Sequence, residues 1–239
     1  MFKNCLKSSL MAVVLITGLL NVVALRAIAQ NSIDEDKLDT VKGISWGGRG
    51  LSFSKVLNIK DTLVNAPLGK VVIDRHGEPT GLLDNPLAGP DPGRFAIVSL
   101  WGSKIEGCFA QMIVQSAPVN GKANLKELVP QQIELGIGNQ ILKLTLNPNT
   151  RVRGFSINYT YTRYKNNVKT KYSSTWYMTN TIFAVNADTA NLLRNAPAKE
   201  VRVRLTFADG DTKVFPIGEG TVKKWQESYG FNSACAAPN

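Results

Sequence analysis

Residues 155–178 have the sequence FSINYTYTRYKNNVKTKYSSTWYM, which predicts a β-hairpin that turns at Asn166-Asn167. Counting outward from this turn gives aromatic and aliphatic partners on one face: Tyr161 with Tyr172, Ile157 with Trp176, and Phe155 with Met178. The other face carries polar partners: Thr160 with Ser173, Thr162 with Lys171, and Asn158 with Thr175. A half-buried antiparallel sheet requires this sorting, because one face packs on a core and the other contacts water.

Two further hairpins are predicted in the same way, with turns at Gly138-Asn139 and at Asp209-Gly210. The partners across the first turn are Leu135 with Leu142, Ile133 with Leu144 and, on the other face, Glu134 with Lys143. The partners across the second turn are Leu205 with Val214 and Val203 with Pro216, with Thr206 and Lys213 outside. Random sequence would rarely sort apolar from polar residues three times, so the fold is predicted to be mainly antiparallel β.

The segments between these hairpins complete the predicted strands and loops. Phe95–Trp101 and Cys108–Val114 are apolar on both faces, as central strands are. Residues 75–79 have the composition of a turn, and residues 84–94 are rich in proline and glycine, which predicts an irregular loop. Residues 30–45 are polar and without periodicity, and we interpret them as a flexible leader.

Helix is predicted only in short pieces. Residues 187–195 favour a short helix, and Thr221–Tyr229 favours a terminal helix that is capped by Thr221 and ends at Gly230. The predicted class is therefore mainly β: an antiparallel β-sandwich-like or β-rich α+β domain with a short C-terminal helix. We expect it to be a single domain over residues 46–239.

Residues 1–29 have the three parts of a secretory signal peptide. Lys3 and Lys7 precede an apolar run over residues 10–25, which is followed by Ala27-Ile28-Ala29. The alternative is an uncleaved membrane anchor, but the run is shorter than the about 20 residues that a spanning helix needs. We expect cleavage after Ala29, export to a periplasmic or extracellular location, and no transmembrane anchor in the mature protein.

Charge and cysteine content fit an exported protein. The chain has 28 Lys or Arg and 18 Asp or Glu, a net charge of +10, and loss of Lys3, Lys7 and Arg26 would leave 25 − 18, or +7. A basic protein attracts anionic partners. Cys108 and Cys235 would remain after cleavage, and an even number of cysteines in an oxidising compartment predicts a disulfide. The alternative is a buried thiol at Cys108 and a free thiol at Cys235.

The sequence contains no recognisable catalytic, metal-binding or cofactor motif. After the expected cleavage one histidine and two distant cysteines remain, which are too few for a zinc site, and no glycine-rich phosphate loop is present, so we predict no catalytic residue, no metal and no cofactor. His76 is interpreted as a solvated turn residue. The alternative is a secreted hydrolase in which His76 works with a carboxylate such as Asp74, two residues away.

One surface suggests binding: the tip of the hairpin that turns at Asn166-Asn167. It gathers four cations and three tyrosines: Arg163, Lys165, Lys169, Lys171, Tyr161, Tyr164 and Tyr172. Cations attract anionic polymers, and aromatic rings stack on sugars. We therefore predict an exported, non-catalytic binding or interaction protein of the cell envelope that contacts an anionic glycan, another anionic polymer or a protein partner, but not nucleic acid. The alternative is that the lysines only prevent edge-to-edge aggregation.

Overall fold

A computed structural model describes residues 31–39, 44–77, 93–119, 122–165, 168–232 and Cys235. The predicted signal peptide and nearly all of the predicted irregular loop lie outside these residues. Within them the protein is mostly β and has two sheets with short helices, which confirms the predicted class.

The larger sheet has seven strands in the spatial order β1-β2-β3-β4-β5-β9-β8. Their bounds are β1 Ser32–Asp34, β2 Val56–Lys60, β3 Pro67–Gly77, β4 Arg94–Lys104, β5 Gly107–Ala117, β8 Arg153–Lys165 and β9 Val168–Val185. Neighbouring strands are antiparallel except for β1 and β2, which are parallel. Strand β8 is therefore the last strand at one end of this sheet.

The smaller sheet has four antiparallel strands in the order β11-β10-β6-β7. Its strands are β6 Pro130–Ile137, β7 Gln140–Thr145, β10 Val201–Phe207 and β11 Thr212–Ile217. The helices are α1 Glu35–Asp39, α2 Ala187–Arg194, α3 Glu219–Val222 and α4 Trp225–Ser228, and a 3₁₀ turn spans Trp46–Gly48.

Two hydrophobic clusters cover the two faces of the larger sheet. The first joins buried side chains of both sheets and of α2, α3 and α4, among them Trp101, Phe183, Val203 and Trp225. The second lies on the opposite face and joins the sheet to the N-terminal segment. This arrangement explains why β4 and β5 are apolar on both faces, since each face contacts a different cluster.

The predicted disulfide between Cys108 and Cys235 is present, with 4.8 Å between the two Cα atoms. It joins the start of strand β5 to the C-terminal tail across a sequence separation of 127 residues. Both cysteines are buried in the cluster between the sheets.

Two of the three predicted hairpin registers are confirmed. The β6–β7 hairpin pairs Leu135 with Leu142, and the β8–β9 hairpin pairs Tyr161 with Tyr172 and Ile157 with Trp176. In both hairpins two residues separate the paired strands, so counting outward from a two-residue turn gives the correct partners.

The predicted β10–β11 register is wrong by one residue. Leu205 pairs with Lys213 rather than Val214, and Val203 pairs with Phe215 rather than Pro216. The Gly210 N–H donates to the Phe207 carbonyl and Gly210 has φ +89°, which is a three-residue loop with glycine in the left-handed position. The extra loop residue turns Phe215 inward and leaves Val214 exposed.

The described residues of the segment interpreted as a flexible leader, 31–39 and 44–45, instead pack on the sheet. Strand β1 pairs with β2, and Ile33, Leu38 and Ile44 are buried in the second cluster. Strand β3 also continues through Arg75, His76 and Gly77, where a turn was predicted, because these residues pair with β4.

The predicted terminal helix is split into the two short helices α3 and α4. Its first residue is capped by Gly218 rather than by Thr221. The Thr221 hydroxyl instead contacts the Ser54 hydroxyl, at 3.0 Å.

Candidate functional site

The β8–β9 hairpin projects beyond the rest of the larger sheet. Strand β5 pairs with β9 only between Tyr177 and Val185, whereas residues 168–176 of β9 pair with β8 alone. We call residues 157–165 and 168–176 the arm. Nine residues at about 3.3 Å each make the arm about 30 Å long.

One face of the arm carries a row of aromatic rings. The Tyr161 and Tyr172 rings stack with centroids 5.5 Å apart and planes 20° from parallel, and the Tyr159 ring lies 6.0 Å from that of Tyr161. At the base of the arm Trp176 meets the edge of Trp46 at 5.3 Å. The aromatic face thus continues from the second hydrophobic cluster towards the tip and holds the arm to the core.

The opposite face of the arm is polar and exposed. It carries three hydroxyl residues, Thr160, Thr162 and Ser173, and the Thr175 hydroxyl donates to Asn158 Oδ1 at 2.8 Å. Hydroxyl and amide groups of this kind can hydrogen-bond a polar ligand laid along the arm.

The structure separates two groups of residues that the sequence prediction had placed in one site. Lys169 and Lys171 are exposed, and alternation along β9 puts them on the polar face, opposite Tyr172. Their ammonium groups therefore do not share a surface with the stacked tyrosines. For the other predicted site residues the structure gives backbone pairing: Arg163 with Thr170, Tyr164 with Lys169, and Lys165 with Val168.

A wider charge asymmetry, which we did not predict, surrounds the arm. Residues 135–187 contain no Asp or Glu. They contain seven cations: Lys143, Arg151, Arg153, Arg163, Lys165, Lys169 and Lys171. A count of charges along the chain would have found this segment, because it lies in one continuous stretch of sequence. Because Lys143 in β7 is paired with Glu134 at 3.2 Å, the cations that create a positive field lie mainly in and before the β8–β9 hairpin.

Two cavities are formed by described residues outside the arm. One of about 260 Å³ is lined by residues such as Phe95, Phe207 and Lys213, and one of about 160 Å³ by residues such as Phe109 and Ile182. Neither is lined by the arm. The arm is a ridge, a shape that suits an extended ligand better than a small molecule.

Asp74 connects β3 to the start of the C-terminal helices. Its carboxylate accepts hydrogen bonds from the backbone N–H groups of Gly218, at 2.9 Å, and of Arg75, at 2.7 Å. Burial raises the pKa of Asp74, although the Thr221 hydroxyl and these N–H groups act in the opposite direction. The carboxylate therefore has a structural role at the N-terminus of α3.

His76, the residue named in the hydrolase alternative, packs on an aromatic ring. Its imidazole stacks on Phe215 with 5.6 Å between centroids. It is half-buried in strand β3 rather than solvated in a turn. The hydrogen bonds that Asp74 accepts come from two backbone N–H groups and the Thr221 hydroxyl, so the hydrolase alternative stays a prediction without a specific contact in its favour.

Membrane-spanning helices, metal-ligand groups and known proteins offer no further clue to the function. No helix among the described residues is long and apolar enough to span a membrane, and no group of three or more potential metal ligands occurs among them. No family model, no curated protein and no solved structure matches this chain.

Proposed function

We propose that this chain is an exported, non-catalytic binding protein of the cell envelope, and that the arm is its contact surface for an anionic polymer. The observation that carries the proposal is the position of the acid-free segment: its cations include Lys169 and Lys171, which are exposed on a hairpin that projects past the sheet. Positive charge on a projecting ridge meets a long polyanion before the rest of the protein does.

Ring packing along the arm supports this function. The tyrosine stack and the contact between Trp46 and Trp176 pack one face of the arm and leave the polar face exposed on the other side. A ligand that binds a preordered surface loses less of its binding energy to ordering the protein. The hydroxyls of Thr162 and Ser173, which lie beside Lys171 on the polar face, can then hydrogen-bond uncharged polar groups of the polymer.

Charge reversal on the arm tests the proposal. The variant Lys169→Glu/Lys171→Glu should bind polygalacturonate and poly-L-glutamate at least about tenfold more weakly than the native protein, because two attractions become repulsions of about 1 kcal/mol each. The control Lys55→Glu/Lys199→Glu makes the same change of net charge at exposed positions outside the arm. Affinity is measured by calorimetry at low ionic strength, where surface charges are least screened.

The two variants distinguish a site from a general charge effect. Binding that falls in the arm variant alone supports the arm as the contact surface. An equal loss in both variants would show that net charge alone governs binding. Absence of binding to both polyanions by the native protein would refute the proposed function.

A further inference from the structure

The arm offers a second recognition element, the outer backbone edge of β8. Strand β8 is at the end of the sheet, and no strand among the described residues pairs with its outer side. Edge strands carry a row of N–H and C=O groups that can accept a strand from another chain.

Strand pairing determines which residues of β8 direct these groups outward. Lys165 pairs with Val168 across a two-residue turn, and such closing pairs exchange both backbone hydrogen bonds. The bonds to β9 then alternate along β8 and fall on its odd-numbered residues. The backbone groups of the even-numbered residues face outward: Ser156, Asn158, Thr160 and Thr162.

A second hairpin gives the same assignment independently. Lys104 pairs with Gly107 across the two-residue turn between β4 and β5, so the odd residues of β5 bond to β4 and its even residues bond to β9. Since Val114 pairs with Thr179, odd residues of β9 bond to β5 and even ones bond to β8. Tyr172, which is even, therefore bonds to Tyr161, which is odd.

We infer that the polymer recognised by the arm is an extended acidic polypeptide, which adds a strand to the outer edge of β8. This inference rests on the proposed function and names the chemistry of its ligand. The outward residues have short, exposed side chains, and an added peptide can satisfy their N–H and C=O groups. A glycan cannot continue this ladder, because it has no alternating backbone donors and acceptors.

Charge selects an acidic partner rather than a second copy of the chain. Pairing β8 with another β8 would place two acid-free segments of seven cations each side by side, and like charges on facing strands are destabilising. Acidic side chains on an incoming strand would instead lie two strand spacings, about 10 Å, from the backbones of Lys169 and Lys171 on the polar face, a gap that long side chains can span. On the other face they would lie next to the backbone positions of Arg163 and Lys165.

The test uses a blocked ten-residue peptide in which Glu alternates with Val or Thr, and the same peptide with every backbone nitrogen methylated. Methylation keeps the charge and removes the donors on both edges of the peptide. The unmodified peptide should bind at least tenfold more tightly, and it should slow amide hydrogen exchange at Asn158, Thr160 and Thr162 at least tenfold.

A pair of protein variants examines the same edge. Thr160→Pro removes one outward N–H, and proline is tolerated in an edge strand where the N–H faces away from the neighbouring strand. Thr160→Val keeps the N–H and serves as the matched control, and circular dichroism checks that both variants are folded. Peptide affinity should fall at least tenfold in the proline variant and change less than twofold in the valine variant.

The outcomes separate this inference from the proposed function. Equal binding of the two peptides, or binding of polygalacturonate alone, would overturn strand addition and leave an arm that binds polyanions through charge. Failure of the acidic peptide, polygalacturonate and poly-L-glutamate together would overturn both. Because the methylated peptide leaves the protein unchanged, misfolding of a variant cannot decide the result.

Discussion

Removal of the disulfide by the double substitution Cys108→Ala/Cys235→Ala should lower the free energy of unfolding by about 4–5 kcal/mol. The bond closes a loop across 127 residues, which is more than half of the 239-residue chain. In the chain-entropy model a loop of this size removes about 16 cal/mol/K from the unfolded chain, or about 5 kcal/mol at 25 °C. The effect acts mainly on the unfolded state, since the link limits the conformations available there.

Urea unfolding followed by far-ultraviolet circular dichroism measures this difference. The matched control is the native protein under reducing conditions, which keeps both cysteine side chains and breaks only the link. Both forms should also show a steeper dependence of stability on urea, because an unlinked chain exposes more surface when it unfolds. In a thermal scan the loss corresponds to a decrease of about 8–20 °C in Tm for a chain of this size.

Two results would refute this reasoning. A loss of less than about 1 kcal/mol, with no change in the urea dependence, would mean that the bond does not restrict the unfolded chain. A large loss in the alanine variant but none on reduction would assign the stability to packing of Cys108 and Cys235 in the cluster rather than to the link.

Two further predictions concern buried contacts. Because burial raises the pKa of Asp74, the folded protein binds that proton more tightly than the unfolded chain, so this residue's contribution to stability is full below about pH 3.8 and is lost as pH rises through the raised pKa. Asp74→Asn should flatten that decrease in urea unfolding between about pH 3 and about pH 7, a range that begins just below the ordinary pKa of 3.8. Asp211→Asn, in an exposed turn, should leave the decrease unchanged. Phe215→Ala should cost about 3–5 kcal/mol and Val214→Ala less than about 0.5 kcal/mol; the reverse order would restore the rejected β10–β11 register.

The success of sequence analysis depended on the length of each turn. Two-residue turns fix strand partners by counting alone, so the partners of Tyr161 and Leu135 followed from the sequence. Asp209-Gly210 was predicted to form a two-residue turn, but this dipeptide belongs to a three-residue loop. Sequence does not distinguish the two loops, because glycine with positive φ is compatible with both.

The composition of the candidate site could be predicted, but its geometry was misjudged. Tyrosines and lysines alternate near the hairpin tip and are therefore close in sequence. The predicted register already placed Lys171 opposite Thr162 and Tyr172 opposite Tyr161, and alternation puts these pairs on different faces. The separation of Lys169 and Lys171 from the stacked rings of Tyr161 and Tyr172 was thus implied by the register, which places the Tyr164 position on the lysine face and the Lys165 position on the tyrosine face. One more step shows that the Thr160 backbone faces outward. The closing pair of the hairpin is hydrogen-bonded, and hydrogen-bonded pairs then alternate with non-hydrogen-bonded pairs along the two strands.

The N-terminal segment shows why some contacts could not be predicted. Gln111, Gln115 and Asn180 are buried polar residues in central strands, where they have no evident partner in the sequence. In the structure Gln111 Nε2 and Asn180 Nδ2 both donate to the Leu38 carbonyl, at 2.7 and 3.1 Å. Gln115 Nε2 donates to the Ser45 carbonyl at 3.2 Å.

These amides explain why residues interpreted as a leader are part of the core. A buried amide left without its hydrogen bond costs about 1–3 kcal/mol, so displacement of the segment would leave several such groups unsatisfied and also expose Leu38. The acceptors are backbone carbonyls, which every residue type supplies, so the sequence of the segment carries no sign of the contact. The sign of this contact lies instead in the buried amide residues of β5 and β9. Their side chains need hydrogen-bond acceptors, which the backbone carbonyls of the N-terminal segment supply.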